Sequence, residues 1–440
     1  MASVATPEAA PGSPATAIAV PQSRRGGSVV GQGAAMVAST AINTGLGMVF
    51  WIVAARRFPA AEIGVASAAV SAMSLLLSVG QLGLPLSLPR LLPAAGPGAR
   101  RLLGRAFAAA VTASTIVGFA FVVVGRRTPG LEGLLDNSAF TVWFVLSVPF
   151  CVIFAVQDFV LCALRRAVWT PTENLLYSAG RFALLVPLGG AGAAGLYLAW
   201  TVPAAVAAIV VSAAVFRWVL PPGEVASGAG VPGWLTGAAL VRLVSSDYVG
   251  GMAQQAAVRG LPLVVLAAAG SELSAYFYVA WTAVLALDTV LSNVVTAVTV
   301  EGATSEDRMR AHVRGLLKRG AAPTLACVAA AWITAPWALA VFGPGYDEAT
   351  WCLRILAVGI VPRAVLLVAS AVARHERRPA RILTLQVAPA VLTVSGALLA
   401  GTGLEDVAVG FVGAQLMVAV PAALWLAGWL RGDGHEQEVT

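Results

Sequence analysis

Apolar stretches of about twenty residues recur along the whole chain, each long enough to cross roughly 30 Å of hydrocarbon as a helix. Lipid offers no partner to an exposed peptide group, so such a chain is confined to helices that satisfy their own backbone. Candidate spans run over 30–55, 63–88, 105–125, 139–163, 173–190, 192–216, 240–268, 274–300, 318–342, 350–373, 380–400 and 406–430. Composition agrees, since 58% of the 440 residues are hydrophobic and 11% charged, where a soluble domain is about a quarter charged. The expected fold is an all-α polytopic membrane protein with about twelve transmembrane helices.

The first 28 residues are rich in Ala, Pro and Ser without apolar period and predict a disordered tail. A Pro- and Gly-rich connection, 218–239, divides the remainder into bundles 29–217 and 240–430, with a short tail over 431–440. Two echoes relate the bundles. Glu62 opens the second span as Glu272 opens the eighth, and Pro149 in the fourth has a counterpart in Pro362 in the tenth. The spacings are similar, which predicts two pseudo-symmetric six-helix bundles around a central cavity.

The basic residues are 27 arginines and a single lysine, Lys318. Nineteen Arg and Lys residues, from Arg24 to Arg431, fall on the side of the N-terminus. About five, Arg56, Arg57, Arg126, Arg127 and Arg354, fall on the other. This bias predicts a multi-pass protein of the cytoplasmic membrane with both termini cytoplasmic. It does not call for nucleic acid, because no soluble face carries a basic stripe.

No enzyme constellation or metal spacing is present, and no cofactor is implied. His312, His375 and His435 lie in loops or the tail, and the four cysteines lack CxxC spacing and read as packing residues. Charge inside the membrane is therefore the informative feature, because it is costly to place there. Arg259 sits deep in its span, with Gln255 one turn before it on the same face. Arg181 and Arg363 lie in the fifth and tenth spans, Asn43 is polar in the first, and Asp158 and Asp288 are acids available for coupling or for ion pairing. Three guanidinium groups facing a cavity would attract an anion, and their forked donors suit phosphate oxygens. Alternatively each is one half of an internal ion pair, Asp288 being a partner open to Arg259.

The segment FWIVAARRFPAAEIGVASAAVSAMSLLLSVGQLGLPLSLPRLLP, residues 50–93, resembles the opening helices of polysaccharide biosynthesis flippases of the multidrug, oligosaccharidyl-lipid and polysaccharide exporter superfamily. QDFVLCALRRAVWTPTENLLYSAGR, residues 157–181, is similar to a second signature of actinobacterial members, with an acid, an Arg pair and P-x-E-N entering the fifth helix. That signature often carries Lys where Arg181 stands. The resemblance implies a two-lobed protein that opens alternately to either side. It would pass an undecaprenyl-diphosphate-linked saccharide between leaflets, with membrane lipids around it and a polymerase or glycosyltransferases as partners. Two other functions are compatible with such a chain: a cation-coupled exporter of small molecules, and a non-transporting scaffold for polysaccharide assembly. Arginines argue against the first, since cationic drugs favour cavities of acids and aromatics.

The arginine bias generates a topology prediction. Cysteines placed at Ser305 and Arg377 are expected to resist an impermeant thiol reagent in intact cells, while cysteines at Thr128 and Gly345 label; labelling of the first pair from outside would reverse the orientation.

Overall fold

The computed structural model describes residues 29–220, 246–302, 306–399, 401 and 403–431. The expected tails and nearly all of the expected linker lie outside these residues. The N-terminal lobe consists of α1 (Val29–Arg57), α2 (Ala60–Gly80), α3 (Leu84–Ala94), α4 (Ala99–Gly125), α5 (Ser138–Ala163), α6 (Trp169–Gly189) and α7 (Gly192–Ala214). The C-terminal lobe consists of α8 (Ser246–Ala269), α9 (Ser271–Gly302), α10 (Glu306–Ala340), α11 (Thr350–Val358), α12 (Ile360–His375), α13 (Pro379–Leu399) and α14 (Leu404–Arg431). Among the described residues, ten spans are long and apolar enough to cross a membrane. α1 and the more polar α6, at the places of the first and fifth expected spans, are not among these ten. The fold is thus a helical polytopic membrane protein of two lobes.

Three spans differ from the sequence expectation. The second was expected to continue to residue 88, but it ends at Gly80, where Leu82 and Gly83 take left-handed conformations before α3 begins. Pro85 and Pro89 lack the N–H that a continuous helix would use. The tenth is divided into α11 and α12 at Gly359, three residues before Pro362. Pro149, its counterpart, leaves α5 continuous. The ninth starts at Glu306 rather than near residue 318, because its basic first turns remain helical beyond the apolar stretch.

α2 is the hub of the molecule. Its sequence, AAEIGVASAAVSAMSLLLSVG, is built from small residues, and Ala66, Ser67, Ala68 and Ala72 are fully buried. Small side chains let neighbouring backbones approach, the main route to helix association where lipid removes the hydrophobic drive. α2 packs on α4, α5 and α7 of its own lobe and on α8 and α9 of the other. At its start the contact with α9 is so close that a Cβ on Gly64 would lie 1.7 Å from the Ser271 carbonyl oxygen.

The face from which α2 and α9 start is here called the far face, and the one carrying the arginine-rich connections the basic face. The lobes meet near the far face. Arg56 at the end of α1 donates through Nε to the carbonyl of Val341, just beyond α10, at 2.6 Å. Deeper in, Trp51 of α1 meets Tyr278 of α9 edge-on, with ring centroids 5.0 Å apart. A single apolar core runs through the N-terminal lobe and the far half of the C-terminal lobe, including Leu261, Phe277, Leu339 and Phe411. The basic half of the C-terminal lobe has a separate core around Val295, Val313, Leu366, Ile382 and Trp429. The two lobes are joined at the far face and part toward the basic face.

Gly64 generates a prediction. Spin labels at Arg57 and Val341 are expected to report one short distance in the native protein. Gly64→Val should move most of that population to longer distances, since no neighbouring side chain can yield to clear the Ser271 carbonyl. An unchanged distribution would remove Gly64 from the contact between the lobes.

Candidate functional site

The membrane-embedded arginines meet three different fates. Arg363, in the first turn of α12, pairs with Asp288 of α9, its Nε 2.9 Å from the carboxylate oxygen. The Gln254 amide on α8 abuts the same guanidinium, its oxygen oriented to accept from both terminal nitrogens. Three helices thus contribute to one polar cluster inside the C-terminal lobe. The cluster borders a cavity of about 30 Å³ with Thr393 and Gln415 in its wall. Neither Thr393 Oγ1 nor Gln415 Oε1 has a hydrogen-bond partner among the described residues. Such a volume holds about two waters, which these oxygens would bind.

Asp288 was open as a partner for Arg259, and that pairing is not formed; Arg363 takes the acid instead. Gln254 supplies the amide of this cluster, while Gln255, expected on the face of Arg259, is exposed. Adjacent positions on a helix point about 100° apart, so the pair of glutamines cannot serve one face together.

Arg181, thirteenth residue of α6, is fully buried without an acid. Its guanidinium carbon lies 4.3 Å from the ring centre of Tyr177, 4.4 Å from Trp200 and 6.0 Å from Phe50. The faces of these rings carry negative quadrupole density and replace a counter-ion in part. Nη2 donates to Ser178 Oγ at 2.9 Å, while Nε and Nη1 have no partner among the described residues. The expectation that Arg181 lines an open cavity is therefore corrected: aromatic rings enclose it in this conformation. α1 passes the cage at Gly47, where an added Cβ would meet Arg181 Nη1 at 3.7 Å. Asn43 is half-buried one turn nearer the basic face.

Arg259 lies in the middle of α8, partly exposed, and makes no hydrogen bond or ion pair among the described residues. Tyr278 is within electrostatic reach of both Arg259 and Arg181. This buried tyrosine stands at the meeting of the lobes, against Trp51. One cation from each lobe thus approaches the same ring, within the core that the lobes share.

A second acid near Asp158 was quoted within a motif but not singled out. Asp158 of α5 is hydrogen-bonded to Asn174, and Glu173 of α6 interacts electrostatically with Asp158. Glu173 is 6% exposed, and neither of its carboxylate oxygens has a donor among the described residues. Its spacing would have revealed it, because Glu173, Tyr177 and Arg181 follow one another at four-residue intervals along one face of α6.

No family model and no curated protein matches the chain. Solved structures do. An inward-facing multidrug resistance MATE family transporter of the MOP superfamily superposes with a TM-score of 0.63 at 16% identity, covering 92% of this chain and 99% of that one. An outward-facing MATE family transporter of the same superfamily gives a TM-score of 0.58 at 16% identity, covering 92% and 95%. A MOP superfamily transporter from Pyrococcus furiosus, described as having a binding pocket of reverse polarity that suggests a different function, gives 0.59 at 16% identity, covering 92% and 95%. The chain has the fold of these transporters over nearly its whole described length.

The Arg363 and Asp288 pair yields a stability prediction. Asp288→Asn leaves a mostly buried guanidinium uncompensated, at a cost on the order of 3 kcal/mol, and should lower the unfolding temperature in detergent. Adding Arg363→Gln should restore most of that loss, whereas adding Arg259→Gln should not. Rescue by the Arg259 substitution would reassign the ion pair.

Proposed function

We propose that the protein is a flippase for a lipid-linked saccharide, moving an undecaprenyl-diphosphate-linked oligosaccharide or repeat unit between leaflets of the cytoplasmic membrane by alternating access. The observation that carries this reading is Arg259, a mid-membrane cation with no acid beside it among the described residues, within electrostatic reach of Tyr278 where the lobes meet. A guanidinium spent on an internal ion pair, as at Arg363, serves stability. One left uncompensated has its donors available to an anion, and a diphosphate matches its forked geometry. Arg181 contributes a second cation from the opposite lobe once the Tyr177 and Trp200 rings shift. The saccharide would occupy the space between the lobes while the prenyl chain stays in lipid.

In this reading the lobes rock about the contact of α2 with α8 and α9. Closure at the far face, as in this structure, admits substrate from the basic face, proposed to be cytoplasmic. Separation of Gly64 from Ser271 would release it on the other side. Asp288 is assigned to structure through its pair with Arg363. Asp158 and Glu173 are the acids left for coupling, because two neighbouring carboxylates without a fixed cation can exchange a mobile one.

Export of small molecules is the second reading, favoured by the multidrug MATE description of the fold's relatives. The P. furiosus transporter, whose printed description speaks of reversed pocket polarity, supports the view that this fold accommodates pockets of either sign. The two membrane arginines without an acid among the described residues, Arg259 and Arg181, favour the anionic substrate here.

Purified protein in liposomes tests the proposal. Arg259→Gln should fold normally, since no carboxylate depends on it, yet bind undecaprenyl diphosphate more weakly by about 1.5 to 3 kcal/mol and flip it correspondingly slowly. Arg259→Lys should fall between, keeping charge but losing the bidentate fork. Native affinity in Arg259→Gln, or transport of a cationic dye in place of the lipid, would overturn the assignment.

A further inference from the structure

The long helix α10 carries a feature that the transport path does not use. Its 35 residues span about 52 Å at 1.5 Å per residue, well beyond the roughly 30 Å of hydrocarbon. Counting about twenty residues back from Ala340 at the far face brings the hydrocarbon boundary to the neighbourhood of Gly320. Arg319, Lys318 and Arg314 then lie at the level of the lipid headgroups. α10 is also the least buried of the strongly apolar spans, with Leu325, Ile333 and Trp337 more than half exposed, so it faces lipid.

At that boundary an open groove of about 610 Å³ lies along α10, with Val294 of α9 at its edge. Gly315, Gly320 and Pro323 hollow its α10 wall, and Val294 contributes from α9. The lining is mainly apolar, and its charged or titratable members among the described residues are His312 and Arg319. Nothing lies within 4 Å of a Cβ added at Gly315, so the space beside it is open. The groove's hydrocarbon end, at Gly320, Pro323 and Val294, is apolar, and its headgroup part is open over Gly315 with Arg319 beside it, the form of a lipid with one chain and an anionic head.

We propose that this groove holds one anionic phospholipid of the bilayer, its acyl chain along Gly320, Pro323 and Val294 and its phosphate over Gly315 beside Arg319. The site is distinct from the space between the lobes and from the Arg259 region. Its occupant is a resident lipid rather than cargo. Because the groove borders the part of α9 that has left the shared core, the bound lipid would brace the C-terminal lobe in the conformation open toward the basic face.

Native mass spectrometry of the detergent-purified full chain tests this with phosphatidylglycerol, phosphatidylcholine, undecaprenyl phosphate and inorganic phosphate as probes. The native protein should retain one phosphatidylglycerol, with phosphatidylcholine and inorganic phosphate washing out. Arg319→Gln should weaken retention roughly fivefold, as expected for one interfacial charge. Gly315→Leu, which fills the groove without disfavouring the helix, should abolish retention at unchanged unfolding temperature. Equal retention of phosphatidylcholine would overturn the role of the basic end. Undiminished retention in Gly315→Leu would overturn the groove, and displacement of phosphatidylglycerol by an equal mole fraction of undecaprenyl phosphate would overturn the resident-lipid assignment. None of these outcomes depends on whether Arg259 binds cargo.

Discussion

Two backbones touch where α2 and α9 begin, and the architecture is organised around that contact. Within a bilayer, apolar side chains gain little by leaving lipid for protein, so helices associate through close packing of small residues. α2 presents such residues over most of its circumference, with Gly64 set against the Ser271 carbonyl. That one helix touches six others across both lobes. Moving it repositions each lobe relative to the other, because there is little side-chain volume between them to absorb the change. The common core at the far face and its absence on the basic side follow from where the tightest packing falls.

Against this apolar frame the arginines are distinguished by what surrounds them rather than by depth. Arg363 is neutralised by Asp288 and braced by Gln254, an arrangement that ties three helices of the C-terminal lobe. Arg181 is held by ring faces, which satisfy its charge in part while leaving two nitrogens unspent. Arg259 has only the Tyr278 ring within electrostatic reach among the described groups. The series runs from a fully compensated cation to an uncompensated one. A charge retained in the membrane without an internal partner is difficult to explain by stability, since a neutral residue would be less costly there.

The membrane architecture was legible from local properties. Whether a segment crosses a bilayer depends on its own length and transfer energy, so apolar stretches were enough to locate the ten strongly apolar spans, and the relation of Glu62 to Glu272 marked the equivalent helix starts. Breaks at Leu82 and Gly359 were missed because proline and glycine are tolerated in membrane helices when neighbours satisfy the backbone. Pro149 and Pro362 show that tolerance directly: one helix continues and the other divides. The polar α6 was found through its place in the order, and Glu173 lay unnoticed in a quoted motif.

By itself, then, the chain's sequence determined an all-helical membrane protein, the approximate limits of most of its helices, and the few embedded charges on which a site could be built. Only tertiary structure decided which charges are paired. Arg363 and Asp288 are 75 residues apart, and nothing in either segment distinguishes that partnership from Asp288 with Arg259, which is closer along the chain. The aromatic cage of Arg181 likewise draws Phe50, Tyr177 and Trp200 from three helices. Partition into a membrane is a property of each segment, whereas compensation of a charge depends on what the fold brings within a few ångströms of it.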